Sequence, residues 1–136
     1  MADRFHGGCR CGRVRYECSA APMFVGHCHC RDCQYASGGA YSTIVGVPTD
    51  ALSLSGELNG FTVDTNSGNQ VTRKFCPTCG SPILSELSAN AAMTVLKAAT
   101  LDDPGWLKPA VHIWTASGQP WAETSSDVPK FDRNPG

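Results

Sequence analysis

Val71-Thr72-Arg73-Lys74-Phe75-Cys76-Pro77-Thr78-Cys79-Gly80 is the segment around which the rest of this chain organises. Val71, Arg73 and Phe75 alternate with Thr72, Lys74 and Cys76, the period of a half-buried strand, and Cys76-Pro77 stops it. Pro77 fixes φ between two thiols and Gly80 can take the positive φ that closes a tight turn, so the two sulfurs converge. A second pair, Cys9-Arg10-Cys11, stands far upstream. Thiolates bound to zinc at about 2.3 Å lie roughly 3.8 Å from one another, a spacing that both pairs can reach. The reading is one closed, structural zinc site on Cys9, Cys11, Cys76 and Cys79. Closing so long a loop removes chain entropy and adds binding free energy, which a small β domain needs. The competing reading, two disulfides or ordinary buried thiols, meets the strain of a Cys-x-Cys ring.

Outward from this turn the signals are short strands. Arg13 to Ser19 alternates, with Val14, Tyr16 and Cys18 on one face; Met23 to His27, Tyr41 to Val47 and Leu52 to Ser55 follow. Asn59-Gly60 reads as a turn and Asn66 to Asn69 as a polar loop. Ile83 to Leu87, Met93 to Ala98 and Val111 to Thr115 complete a hairpin-rich sheet, separated by Asp102-Asp103-Pro104-Gly105 and similar turns. One or two helical turns fit around Arg31 to Ala36. The expected class is mainly β, a small zinc-stabilised antiparallel domain with very little helix.

Composition sets the limits. The 136 residues suit one domain, 1–136, with a core of about 5–124 and a loose polar tail of about 125–136 carrying Pro129 and Pro135. At 41% hydrophobic and 17% charged, neither wholesale disorder nor a membrane bundle fits. Lys plus Arg number 11 against 12 Asp plus Glu, a formal charge of -1, so no basic field attracts nucleic acid. Met1 to Gly7 lacks an apolar export core and no apolar run approaches the ~18 residues of a spanning helix. The expectation is a soluble cytoplasmic chain, where 8 closely spaced cysteines signal metal or thiol chemistry. An exposed sheet edge would suit a homodimer, although no feature demands one.

Cys28-His29-Cys30-Arg31-Asp32-Cys33 gathers three thiols in six positions and has no nearby fourth cysteine. Three protein ligands and one open position is the arrangement of catalytic zinc. A zinc held by three thiolates is a soft, weak Lewis acid, better suited to holding a substrate thiolate than to ionising water. Two alternatives stay open: Cys18, His27 or His29 closes a second structural site, or the Cys30-x-x-Cys33 pair acts as a redox dithiol.

These residues resemble the glutathione-dependent formaldehyde-activating enzyme family, which includes centromere-protein-V-like proteins. The resemblance rests on Gly8 to Tyr16, Cys28 to Gly38, Phe75 to Gly80 and Pro109 to Trp114, in that order along nearly the whole chain. It implies a β-tent fold, a structural zinc on Cys9, Cys11, Cys76 and Cys79, and a catalytic zinc on Cys28, Cys30 and Cys33, two zinc ions per chain. The activity it implies is a carbon-sulfur lyase type, condensing glutathione with formaldehyde to S-hydroxymethylglutathione, with a non-catalytic thiol-binding protein as the alternative.

On that reading a small thiol, glutathione as co-substrate, ionises at the second zinc and adds to an aldehyde held beside it. His29 is the candidate proton donor, with a packing or supporting role as its alternative. Arg31 is the candidate anchor for glutathione carboxylates; Arg10, Arg13, Arg15, Arg73 and Lys74 read as solvated surface. His112 and Trp114, two apart on an expected strand, should share a face that lines the pocket or packs the core. Ser37-Gly38-Gly39 reads as a turn or a backbone approach to a ligand.

Overall fold

The computed structural model describes residues 3–124 and 127–135. Two sheets are built from ten strands. The smaller contains β1 (Phe5–Gly8), β2 (Arg15–Cys18) and β5 (Leu52–Ser55), in the order β1-β2-β5. The larger runs β10-β3-β4-β9-β8-β7-β6, with β3 at Phe24–Cys28, β4 at Ser42–Pro48, β6 at Asn59–Asp64 and β7 at Gln70–Phe75. Its remaining members are β8 (Pro82–Leu87), β9 (Met93–Lys97) and β10 (Val111–Ile113). The class is mainly β, with one α-helix among the described residues, α1 (Arg31–Ser37).

Alternation explains the strands. In β2, Tyr16 and Cys18 are buried while Arg15 faces water, and buried Val45, Val47 and Leu96 of β4 and β9 share a core with the smaller sheet's Phe5 and Tyr16 and with Val14, which precedes β2. Both sheets thus contribute to one apolar core. A smaller cluster on Cys28, Cys33 and Ile113 adds Phe24, Ile44 and Phe131. Every paired strand is antiparallel to its neighbour except β10, which lies parallel to β3 with His112 opposite His27. This is the one departure from the antiparallel arrangement expected. Parallel neighbours need a long crossover, and here most of the domain lies between the two strands.

Other expectations need correction. Asn59-Gly60 is not a turn: it opens β6, and the reversal falls at Thr65–Asn69, where the Thr65 amide donates to Asn69 O at 2.8 Å. Neither β1 nor β6 was expected: β1 carries little apolar alternation, and in β6 the reading of Asn59-Gly60 as a turn hid the alternation of Phe61 and Val63. The 3₁₀ turn after β10 begins at Trp114, whose φ of 58° ends the strand, so His112 and Trp114 share no strand face. Trp114 instead donates from Nε1 to Asn134 Oδ1 at 2.9 Å.

The segment expected to be a loose tail, where described, is bonded. His112 N donates to Pro129 O at 2.9 Å, Phe131 N to His112 O at 2.8 Å and Trp114 N to Arg133 O at 3.0 Å. Residues 125, 126 and 136 of that expectation lie outside the described residues. Among the described residues no helix is long and apolar enough to cross a membrane.

Candidate functional site

The first cysteine group forms where the two sheets meet. The Cys9 amide donates to Val14 O at 3.0 Å and Gly12 N to Cys9 O at 3.2 Å, folding Cys9-Arg10-Cys11 into a turn. The Gly80 amide donates to Cys76 O at 2.8 Å, with φ of 78° at Gly80, which closes the other turn in the conformation its sequence favours. The four Sγ atoms of Cys9, Cys11, Cys76 and Cys79 all lie within 4.8 Å of one another, with Cys9 and Cys76 buried. Cys9 and Cys11 are 3.5 Å apart and Cys11 and Cys76 are 3.8 Å apart. All eight cysteines are free. The Val14 amide donates to Cys9 Sγ at 3.2 Å, and the Ser81 hydroxyl, 3.2 Å from Cys79 Sγ, helps hold that thiol down at about 5, together with the Ser81 backbone. An all-sulfur set at this spacing could hold a metal ion, and its chemistry suits zinc.

The second group is built by a strand end and a helix start. Cys28 closes β3, Cys30 caps α1 by accepting from the Cys33 amide at 3.2 Å, and Cys33 lies in the first turn. Gly38, with φ of 73°, terminates the helix by donating to Gln34 O. Ser37-Gly38-Gly39 is therefore a helix cap. The three Sγ atoms lie within 4.8 Å of one another and could also hold a metal ion. Hydrogen bonds from the Cys28 and Cys30 thiols, then the charges of Lys97 and Arg73, pull Cys33 down to about 2. Cys28 is pushed up in exchange, first by its bond to Cys30.

Among the described residues neither Cys18, His27 nor His29 joins this trio. Cys18 is buried in the main core with its thiol 3.4 Å from Ala20 O. His29, only 1% exposed, places Nε2 2.9 Å from His112 Nδ1, and its Nδ1 has no hydrogen-bond partner. His27 bonds Thr43 Oγ1 through Nδ1 at 2.9 Å, and its ring lies 4.7 Å from that of His112 and 4.6 Å from that of Tyr41. Burial first, then the neighbouring His112 and His29, holds His27 down at about 4, and burial lowers His29 as well. The rings of His27, His29 and His112 cluster at tilted angles with Tyr41 beside the β3–β10 pair.

Arg31 is exposed, bonds Gln34 Oε1 at 2.5 Å and lies 4.9 Å over the Tyr35 ring. Gln34 is buried and saturated: its Nε2 donates to His29 O at 2.7 Å and Ser117 O at 3.0 Å, and its Oε1 also accepts from Gln119. The cations that face the thiols are different ones. Arg73 Nη2 lies 3.9 Å from Cys33 Sγ, and Arg73 Nε is buried without a partner. Lys97 Nζ donates to Ser42 Oγ at 2.7 Å, and burial lowers its ammonium's pKa while the charge of Cys33 opposes that shift.

Arg73 and Lys97 line a cleft of about 460 Å³ between α1 and β6 to β9, whose wall includes Tyr35, Ala36, Phe61 and Val63. Lys74 also borders it, but its Nζ is engaged by Glu86 at 3.2 Å. Arg73 was expected on a solvated surface. Its pairing opposite Phe61 and beside α1 is a tertiary fact that strand alternation alone does not supply.

A search of curated proteins finds no match. Among solved structures, the crystal structure of a Rhodobacter sphaeroides protein, a Northeast Structural Genomics target, aligns with a TM-score of 0.60 at 18% identity, covering 92% of this chain and 98% of that one. At that identity the likeness is one of fold. The family model described as glutathione-dependent formaldehyde-activating enzyme matches residues 4–117, a stretch that holds both thiol groups, α1 and the cleft. The chain therefore belongs to the glutathione-dependent formaldehyde-activating enzyme family.

Proposed function

We propose that this protein is a zinc-dependent enzyme of carbon-sulfur lyase type that joins glutathione, or a closely related small thiol, to formaldehyde as S-hydroxymethylglutathione. One observation carries the reading. The thiols of Cys28, Cys30 and Cys33 converge with no fourth protein ligand among the described residues, beside a cleft whose inner cations are Arg73 and Lys97. The closed group on Cys9, Cys11, Cys76 and Cys79 holds a structural zinc, and the open trio holds the second.

Zinc bound by the trio supplies a position at which an incoming thiol is held and ionised. The protein's own groups do the rest. Arg73, whose guanidinium lines the cleft beside Cys33, binds a carboxylate of the thiol substrate and fixes its direction. The thiolate sulfur then adds to the aldehyde carbon: the C–S bond forms, the C=O π pair moves to oxygen, and the thiol's proton ends on that oxygen. Nothing is oxidised or reduced. Lys97, beside Cys33, is the cation that meets the developing alkoxide, and holding both reactants in the cleft removes the entropy of their encounter. His29 and His112, buried and bonded to each other, order β3 against β10 rather than exchange the proton.

The test is exchange NMR of the glutathione–formaldehyde hemithioacetal with zinc-loaded protein. Accelerated exchange is expected, with Arg73→Ala raising the half-saturating glutathione concentration about tenfold while zinc content stays the same. Unchanged exchange rates beside measurable glutathione binding would leave a binding protein and remove the enzyme.

A further inference from the structure

The cleft has a part that formaldehyde does not use. Phe61 is 68% exposed and Tyr35 is 78% exposed, and both stand on the cleft wall with Val63 and Ala36. Large aromatic side chains left in water beside a polar site commonly mark a ligand surface. Phe61 sits directly opposite Arg73 in the β6–β7 pair, so the two side chains project from one face with their Cβ atoms about 5 Å apart. Arg73 in turn reaches Cys33 Sγ at 3.9 Å. Ala36 lies three positions after Cys33 on α1, on the same helix face and about one turn away. Arg73 thus joins the thiol group to a cleft whose wall is in part apolar.

Tyr35 is also held in place. Arg31 stacks on its ring at 4.9 Å and is itself tied to Gln34 Oε1, which is buried and fully bonded. Arg31 is not among the residues lining the cleft. Its contacts make it a support for an aromatic wall.

We infer that, besides formaldehyde, this site accepts an electrophile that carries an apolar, planar substituent, as an aromatic aldehyde does, which seats against Phe61 and Tyr35. The inference rests on the proposed thiol chemistry of the same site. The bond changes are those already given, since an aromatic aldehyde presents the same carbonyl carbon. A substituent on the substrate sulfur starts at the thiol group, and Ala36 of the apolar wall lies about one helical turn from Cys33.

Binding of three stable probes to zinc-loaded full-length protein tests it: glutathione, S-methylglutathione and S-benzylglutathione, by calorimetry. The expected result is that S-benzylglutathione binds about tenfold tighter than S-methylglutathione, and that Phe61→Ala removes this preference while glutathione affinity and zinc content are unchanged. Phe61→Leu should keep part of the preference. If glutathione binds but the benzyl probe gains nothing over the methyl probe, the inference is overturned and the proposed function stands. It is equally overturned if the preference survives in Phe61→Ala, or if that variant turns a dimer into a monomer, which would give the patch to a second copy. If glutathione itself does not bind, the proposed function fails and takes the inference with it.

Discussion

Arg73 and Tyr16 show how far one side chain's meaning depends on what the fold sets against it. Both sit in strands with charged or polar neighbours in sequence. Tyr16 is buried in the core with its hydroxyl 2.8 Å from Thr100 Oγ1, and burial raises its pKa to about 12. A phenol that ionises near 10 when unfolded and near 12 when folded stabilises the fold fully below pH 10 and loses that contribution as pH rises through 12. The unfolding free energy from denaturant curves should therefore fall between pH 10 and 12, by up to about 2–3 kcal/mol, and Tyr16→Phe should flatten this limb at the cost of the Thr100 bond. An unchanged alkaline slope in the variant would assign it to other groups. Tyr16 was legible as a core residue from its alternation with Arg15 and Glu17. Arg73 obeys the same local rule, yet its place beside the thiol group comes from Cys33, forty positions away in sequence, and no short window of residues contains both.

Between residue and molecule, the element that holds the second thiol group in place is β10 with the segment that follows it. The strand is three residues long and pairs with β3 on one side only, so its other side needs a partner. Residues 129–133 supply it: Pro129, Phe131 and Arg133 carbonyls accept from His112, Thr115 and Trp114, and Phe131 packs with Cys28, Cys33 and Ile113. Removing residues 127–136 should cost roughly 3–5 kcal/mol, from about 1 kcal/mol for each hydrogen bond lost and the burial of Phe131. Thermal melting measures the loss, and faster thiol labelling of Cys28 should accompany it; an unaltered melt would show the segment to be dispensable. The longer strands and α1 were readable because alternation and the Gly38 cap are local signals. β6 was not, because its apolar residues face a cleft, and the docked segment was not, because its polar sequence is held through backbone bonds that leave no mark on composition.

For the molecule as a whole, the two cysteine groups divide the work by where they tie the chain. Cys11 and Cys76 are 65 positions apart, and their group joins the turn before β2 to the turn after β7, fastening the small sheet to the large one. Cys28, Cys30 and Cys33 span six positions and fasten only a strand end to a helix start. Loop-closure entropy therefore gives the first site most of the leverage on folding and the second almost none. The spacing of the cysteines made the two groups readable from sequence, as a pair distant from another pair and a trio crowded into one turn. Cys76→Ser should accordingly unfold most of the domain, seen as loss of cooperative melting. Cys30→Ser should keep a cooperative melt while zinc falls from two ions per chain to one. Equal losses of fold in the two variants would mean that the trio also holds the sheets together, and the separation between a structural and a reactive centre would fail.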